Sequence, residues 1–214
     1  MTGEFGGALP AAVEEGVGGF RTTIENTTER GGVNYGEFIE EVRTFMDRAR
    51  AACPTTELND DILSRLRAIN DLLKGVTIDE WYAPSGTRTD LPARGNIMLP
   101  PYTFLDQGAD GVVATLRFRR FHLGGNSAVH GGYVGLAVDE VMGLAAGLAR
   151  GITRTAYLTI NYRSVTPLDT DLELKAWVDR TEGRKTFLRA TLSDGDRVCA
   201  DAEALFILLN PGQR

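Results

Sequence analysis

Two adjacent carboxylates, Asp139 and Glu140, are the only charges in the nineteen residues from Gly131 to Ala149, a run otherwise built of apolar residues and five glycines. Ionised carboxylates are seldom buried without a partner, because desolvation costs several kcal/mol per ion. At least one of them is therefore expected to line a cavity or face a gap in whatever covers the run. Neighbours on a helix point about 100° apart, so one can do chemistry while the other pairs or caps. Immediately upstream, Gly124-Gly125-Asn126-Ser127-Ala128-Val129-His130-Gly131-Gly132 forms a polar, glycine-rich approach to the helix start. Free N–H groups at a helix N-terminus bind anions and oxyanions, and glycines let a ligand come close to the main chain. A plain tight turn from strand to helix would account for the same residues.

The elements that must position these groups follow from periodicity. Ala114, Leu116 and Phe118 alternate with polar neighbours and read as a strand before the helix. After the helix, from about His130 to Arg150, alternation returns four times: through Ala156, Leu158, Ile160 and Tyr162, then Leu172 to Val178, Leu188 to Leu192 and Ala200 to Leu208. The connections 181–184 and 193–196 are short and turn-like, so a meander of antiparallel strands is expected. A helix apolar on all sides must be wrapped, and one curved antiparallel sheet can do it. Gly135, Gly143 and Gly147 would let a strand or second helix approach.

Before this unit, residues 34–83 carry two amphipathic helical patterns. Tyr35 to Ala49 is stopped by Pro54, and Leu58 to Leu73 is closed by Gly75. Neither has a chemical motif, and both read as an extension that packs on the main body or on a partner subunit, dispensable for chemistry but not for assembly or tunnel closure. Residues 1–33 hold eight glycines and no apolar periodicity, which reads as a loosely attached leader. The stretch 84–101 is rich in Pro, Gly and Arg and reads as a surface linker to a domain at 102–210.

Composition limits the function classes. Asp plus Glu number 29 against 23 Lys plus Arg, a net charge of −6, the opposite of the basic field a nucleic-acid binder needs. Two histidines and two distant cysteines, Cys53 and Cys199, give neither a zinc set nor a disulfide framework, so no metal or redox cofactor is expected. No secretory signal is legible at the start of the sequence, and the paired carboxylates argue against reading 131–149 as a membrane span, so a cytoplasmic location is expected. His122, at a strand end, reads as structural.

The runs HGGYVGLAVDEVMG and TAYLTINYRSVTPLDTDLELKAWV closely resemble the PaaI-like acyl-CoA thioesterases of the hotdog superfamily: a His-Gly-Gly, an Asp nine residues after the His, and a following strand that ends in a Tyr-Arg-x-x-x-Pro-Leu turn. The resemblance covers about residues 95–210. It implies an α+β hotdog fold, a curved antiparallel sheet around a long helix, assembled as a homodimer or dimer of dimers. It also implies hydrolysis of acyl-CoA. By position it makes Asp139 the nucleophile or general base, Gly131 the residue whose N–H polarises the thioester carbonyl, His130 the group that orients the site, and Thr155 the hydroxyl that positions water or carboxylate. Many members use an Asn or Gln before the His to hold thioester or water; the nearest counterpart here is Asn126, and with Gly132 it becomes a substrate-binding candidate. Arg163, Arg184 and Lys185 are candidates for the coenzyme A phosphates. A thioester needs little activation, so a carboxylate and an oxyanion site suffice. The readings from other classes are a non-catalytic acyl-CoA sensor and a hotdog hydratase or dehydratase.

Overall fold

A computed structural model describes residues 26–78 and 82–210; up to residue 25, the leader reading lies outside the described residues. Helix α1 (Tyr35–Ala51) turns Tyr35, Ile39 and Arg43 inward at four-residue steps. Helix α2 (Thr56–Lys74) starts at Thr55, whose hydroxyl accepts the Leu58 N–H at 3.3 Å. That bond satisfies one of the free donors of the first turn. The helix buries no residue at all, and its apolar positions Leu58, Ile69, Leu72 and Leu73 stand exposed.

The body is a six-stranded antiparallel sheet of β1 (Tyr102–Gly108), β2 (Gly111–Arg117), β5 (Thr153–Tyr162), β6 (Asp171–Glu182), β7 (Lys185–Asp194) and β8 (Arg197–Leu208), in the order β1-β2-β6-β7-β8-β5. A small hairpin of β3 (Leu123–Gly125) and β4 (Ala128–Val129) leads into helix α3 (Gly131–Arg150), which lies across one face of the sheet. Alternating strand residues, among them Ala114, Leu116, Leu172, Leu174, Leu188 and Ala190, meet Val134, Val138, Val141 and Met142 of the helix in one core. By length and composition α3 could cross a membrane, but it packs against β2, β5, β6, β7 and β8 and is the fold's core helix.

Two features depart from the pattern expected of the sequence. Only β6, β7 and β8 form a meander; β5 enters at the far edge beside β8, because α3 carries the chain across the sheet before β5 begins, and β6 returns to pair with β2. The segment 84–101 is not draped over the surface. Thr87, Arg88, Ala93 and Leu99 are buried. Ala93 and Arg94 hold φ of 51° and 53°. Non-glycine residues adopt this left-handed conformation at a cost of about 1 kcal/mol or more. That turn delivers the Arg94 side chain to α3. The helical extension is likewise tied in: Arg43 donates to the Asn96 carbonyl at 3.0 Å, and Asp47 accepts from the Phe121 N–H at 3.0 Å.

Candidate active site

Helix α3 carries glycine at 131, 135, 143 and 147, and Asp139 occupies the one remaining place in this four-residue ladder. Positions four apart lie on one face of a helix, so Asp139 is the only side chain on an otherwise bare strip. The strip faces β5 and β8. A Cβ at Gly131 would come 3.0 Å from the Tyr162 hydroxyl, one at Gly135 3.4 Å from Ile160, and one at Gly143 3.5 Å from Phe206. Between strip and strands lies an open cleft of about 290 Å³, lined among others by Arg94, Asp139, Gly143, Leu144, Thr155 and Phe206.

Thr155 reaches this cleft because β5 is irregular. Leu158 and Ile160 pack toward the helix, and strict alternation would turn Thr155 to the opposite face. The pairing slips between Thr155 and Tyr157, which oppose Phe206 and Leu205, so Ala156 is a β-bulge. One extra residue reverses the parity, as bulges beside sites commonly do. Thr155 then donates from Oγ1 to Asp139 Oδ1 at 3.0 Å. Asp139 is half-buried, with room for a second partner at its carboxylate.

Glu140 lines the same cleft, but its carboxylate is already paired. It accepts from Arg94 at 2.5 Å and from the Tyr102 hydroxyl at 2.9 Å, and burial together with that carboxylate raises the Tyr102 pKa well above its ordinary value. Its negative charge is occupied in fastening the 84–101 segment to the helix, a structural pair that periodicity could not foresee. Val138, Val141 and Met142 are core residues; of the apolar neighbours of the carboxylates only Leu144 lines the cleft.

At the helix start, His130 is the N-cap: its Nδ1 accepts the Gly132 N–H at 3.0 Å, so Gly132 serves the cap. Gly131 is the first helical residue, and its N–H has no intrahelical acceptor. Its carbonyl accepts from the Tyr162 hydroxyl at 2.9 Å. Asn126 and Ser127, at φ of 48° and 60°, form the two-residue turn between β3 and β4. Positive φ at both places is what such hairpins require. Asn126 is exposed in that turn and touches neither Asp139 nor Thr155 among the contacts of the described residues. Arg163 is engaged with Asp201 and Arg184 with the Leu208 carbonyl. Lys185 and Arg184 sit at the β6–β7 turn, where Arg150, the last residue of α3, donates to Gly183; this is the opposite end of the helix from His130. Asp139 and Thr155 are thus brought together. Gly131, eight residues from Asp139, stands about 12 Å from it at about 1.5 Å per residue.

His122 supports the helix start from beneath. It is fully buried against Phe118, Phe121 and Tyr133, its Nδ1 accepts the Arg119 N–H at 2.7 Å, and its carbonyl accepts the His130 N–H at 2.9 Å. Burial pushes its imidazole down to about 4, against the opposing pull of the Asp47 carboxylate. The folded state therefore refuses a proton that the unfolded chain accepts near pH 6.5, and the stability held by the neutral ring is lost as pH falls from about 6.5 toward 4. Between pH 7 and 4.5 the wild type should lose about 2 kcal/mol more than His122→Gln in urea unfolding. Identical pH dependence of the two proteins would refute this.

With this geometry in place, comparison with known proteins is direct. Residues 126–200 match the family model described as Thioesterase superfamily. The acyl-coenzyme A thioesterase THEM4 of Rattus norvegicus is 36% identical over 85 residues, 39% of this chain and 36% of that protein. The protein of the same name from Xenopus laevis is 33% identical over 84 residues, 38% of each. The chain thus matches little more than a third of the length of these relatives. A crystal structure described as a thioesterase superfamily protein superposes with a TM-score of 0.72 at 22% identity, over 87% of this chain and 96% of the other. That likeness establishes the hotdog fold, and its extent reaches beyond residues 102–210 into the helical extension.

Proposed function

We propose that this chain, whose residues 126–200 match the thioesterase superfamily model, hydrolyses acyl-CoA thioesters to the free acid and coenzyme A. The observation that carries the reading is the Asp139–Thr155 pair, in which the one side chain on the glycine strip of α3 meets the bulged strand β5 in a cleft. Asp139 acts on the thioester carbonyl carbon directly, or removes a proton from the water that does so. Thr155, holding one carboxylate oxygen, leaves the other aimed at the reacting atoms. The developing oxyanion needs a preorganised donor, and the Gly131 N–H at the positive end of α3 is suited to that. The leaving thiolate is stable enough near neutral pH to depart without a strong acid.

One chain cannot place both groups on one thioester across about 12 Å, because each contact must fall at about 3 Å. Two α3 helices packed antiparallel across a two-fold axis bring the partner's Gly131 beside Asp139. Two surfaces favour such a homodimer. Among the described residues β5 is an edge strand, paired to β8 alone, and it exposes Tyr157 and Tyr162, while the glycine strip meets β5 and β8 on one flank. Arg184 and Lys185, at the β6–β7 turn beside the C-terminal end of α3, remain the candidates for the coenzyme A phosphates.

The test is release of free thiol from a panel of aliphatic and aromatic acyl-CoAs, followed alongside absorbance of an enoyl product. Thiol release without an enoyl signal is expected. Tight binding with no turnover would make the protein a sensor, and an enoyl signal would make it a hydratase or dehydratase.

A further inference from the structure

The turn that presents Gly131 is not supported by the hotdog body alone. Its footing runs back to the helical extension through a series of short hydrogen bonds. On α1, Asp47 uses both oxygens: Oδ1 accepts the Phe121 N–H at 3.0 Å and Oδ2 accepts Arg119 Nε at 2.7 Å. Arg119 also engages Glu40 and, at 3.2 Å, the Thr44 hydroxyl of the same helix. The backbone between these grips is the tight turn Arg120–His122, closed by the His122 N–H on the Arg119 carbonyl at 3.0 Å and by the Arg119 N–H on His122 Nδ1 at 2.7 Å. From the same turn, the His122 carbonyl holds the His130 N–H at 2.9 Å, and His130 caps α3.

We infer that Asp47 is a positioning residue: by clamping the Arg119–His122 turn it fixes the carbonyl that holds His130, and so sets the direction in which the Gly131 N–H points. The inference rests on the thioesterase reading for its catalytic consequence and on geometry alone for its structural one. Each grip is local and directional, and Asp47 and Arg119 are largely screened from water, with 22% and 18% of their side chains exposed. A donor to an oxyanion acts in the transition state more than in the ground state, so its misdirection lowers kcat and spares KM. Displacements of about 1 Å can cost up to about a hundredfold in rate. The buried ring of His122, kept neutral, leaves its Nδ1 free to accept and completes the turn. Helix α1 is thus part of what aims the site, where the sequence suggests an extension dispensable for chemistry though not for assembly.

The experiment compares Asp47→Ala, Asp47→Asn and Asp139→Asn in the full chain by steady-state kinetics and by amide hydrogen exchange. Asp47→Ala should lower kcat about tenfold or more with KM within about twofold. It should speed exchange of the His130 amide about tenfold or more, leaving β7 amides such as Leu188 and Ala190 unchanged. Asp47→Asn, which keeps an oxygen for the Phe121 N–H, should recover part of both losses. Asp139→Asn should leave His130 exchange at the wild-type rate. An unchanged His130 amide in Asp47→Ala overturns the inference, as does an unchanged kcat or a parallel rise in β7 exchange that marks general destabilisation. Should the wild type turn over no acyl-CoA, the function reading has failed, and the exchange measurements alone decide whether Asp47 sets this turn.

Discussion

Asp139→Asn should lower kcat by at least about a hundredfold, with affinity for a non-hydrolysable acyl-CoA kept within about twofold. The substitution is nearly isosteric, and the amide oxygen can still accept from Thr155, so neither the bulge nor the cleft is disturbed. What is lost is the negative charge and basicity at the cleft floor. Glu140→Gln supplies the contrast. Its carboxylate lines the same cleft but is already paired with Arg94 and Tyr102. The loss there should be less than tenfold in kcat and about 1 kcal/mol in stability. Steady-state kinetics with calorimetric binding of the analogue separates the outcomes. Near-normal kcat in Asp139→Asn would remove the carboxylate from the mechanism.

Co-expression of Asp139→Asn with Gly131→Pro should return about a quarter of wild-type activity, although each variant alone is inactive. Random pairing makes about half of the dimers mixed, and each mixed dimer regains one of two composite sites. Proline removes the N–H proposed to hold the oxyanion, and the structure shows why the chain can accept it. Gly131 is the first residue of the helix, where proline is well tolerated. His130 before it already has an extended backbone, with φ of −64° and ψ of 129°. A following proline favours that conformation. The close point is the Tyr162 hydroxyl, 3.0 Å from where a Cβ would stand. Thermal unfolding and sedimentation of each variant provide the control. With folding and dimerisation intact, no recovery in the mixture would confine the site to one chain.

The fold was largely legible because its core obeys simple periods: two in Leu172 to Val178 and Leu188 to Leu192, and a helix apolar on every side that demanded a wrapping sheet. The candidate site was legible only in part. Asp139 stood out by charge, but the four-residue ladder of glycines that isolates it was equally visible in the sequence and would have marked which of the two carboxylates stands on the bare strip. Thr155 could not have been reached by alternation, because the bulge at Ala156 that reverses its side is a property of pairing with β8. Arg94 lies in a segment whose Pro and Gly content suggested a linker, and its role depends on a left-handed turn at Ala93 that no local pattern encodes. The bonds from Asp47 to the Arg119–His122 turn span more than seventy residues, a separation over which side-chain pairing leaves no periodic signal.

The glycine strip also gives specificity a direction. Where the strip lines the cleft, at Gly143, the floor is backbone, already as low as a helix surface can be, so no substitution there can deepen the slot. Any side chain can only shorten it. Gly147 has nothing within 4 Å of an added Cβ, whereas a methyl at Gly143 projects toward Phe206 at the cleft wall. Alanine at Gly147 would firm the helix by about 1 kcal/mol. In the proposed enzyme, narrowing of the acyl range is one residue away, while widening must come from the strand side, through Phe206, Leu144 or the bulged segment of β5. Selectivity on this scaffold is gained by adding atoms to the helix and relaxed only by removing them from its surroundings.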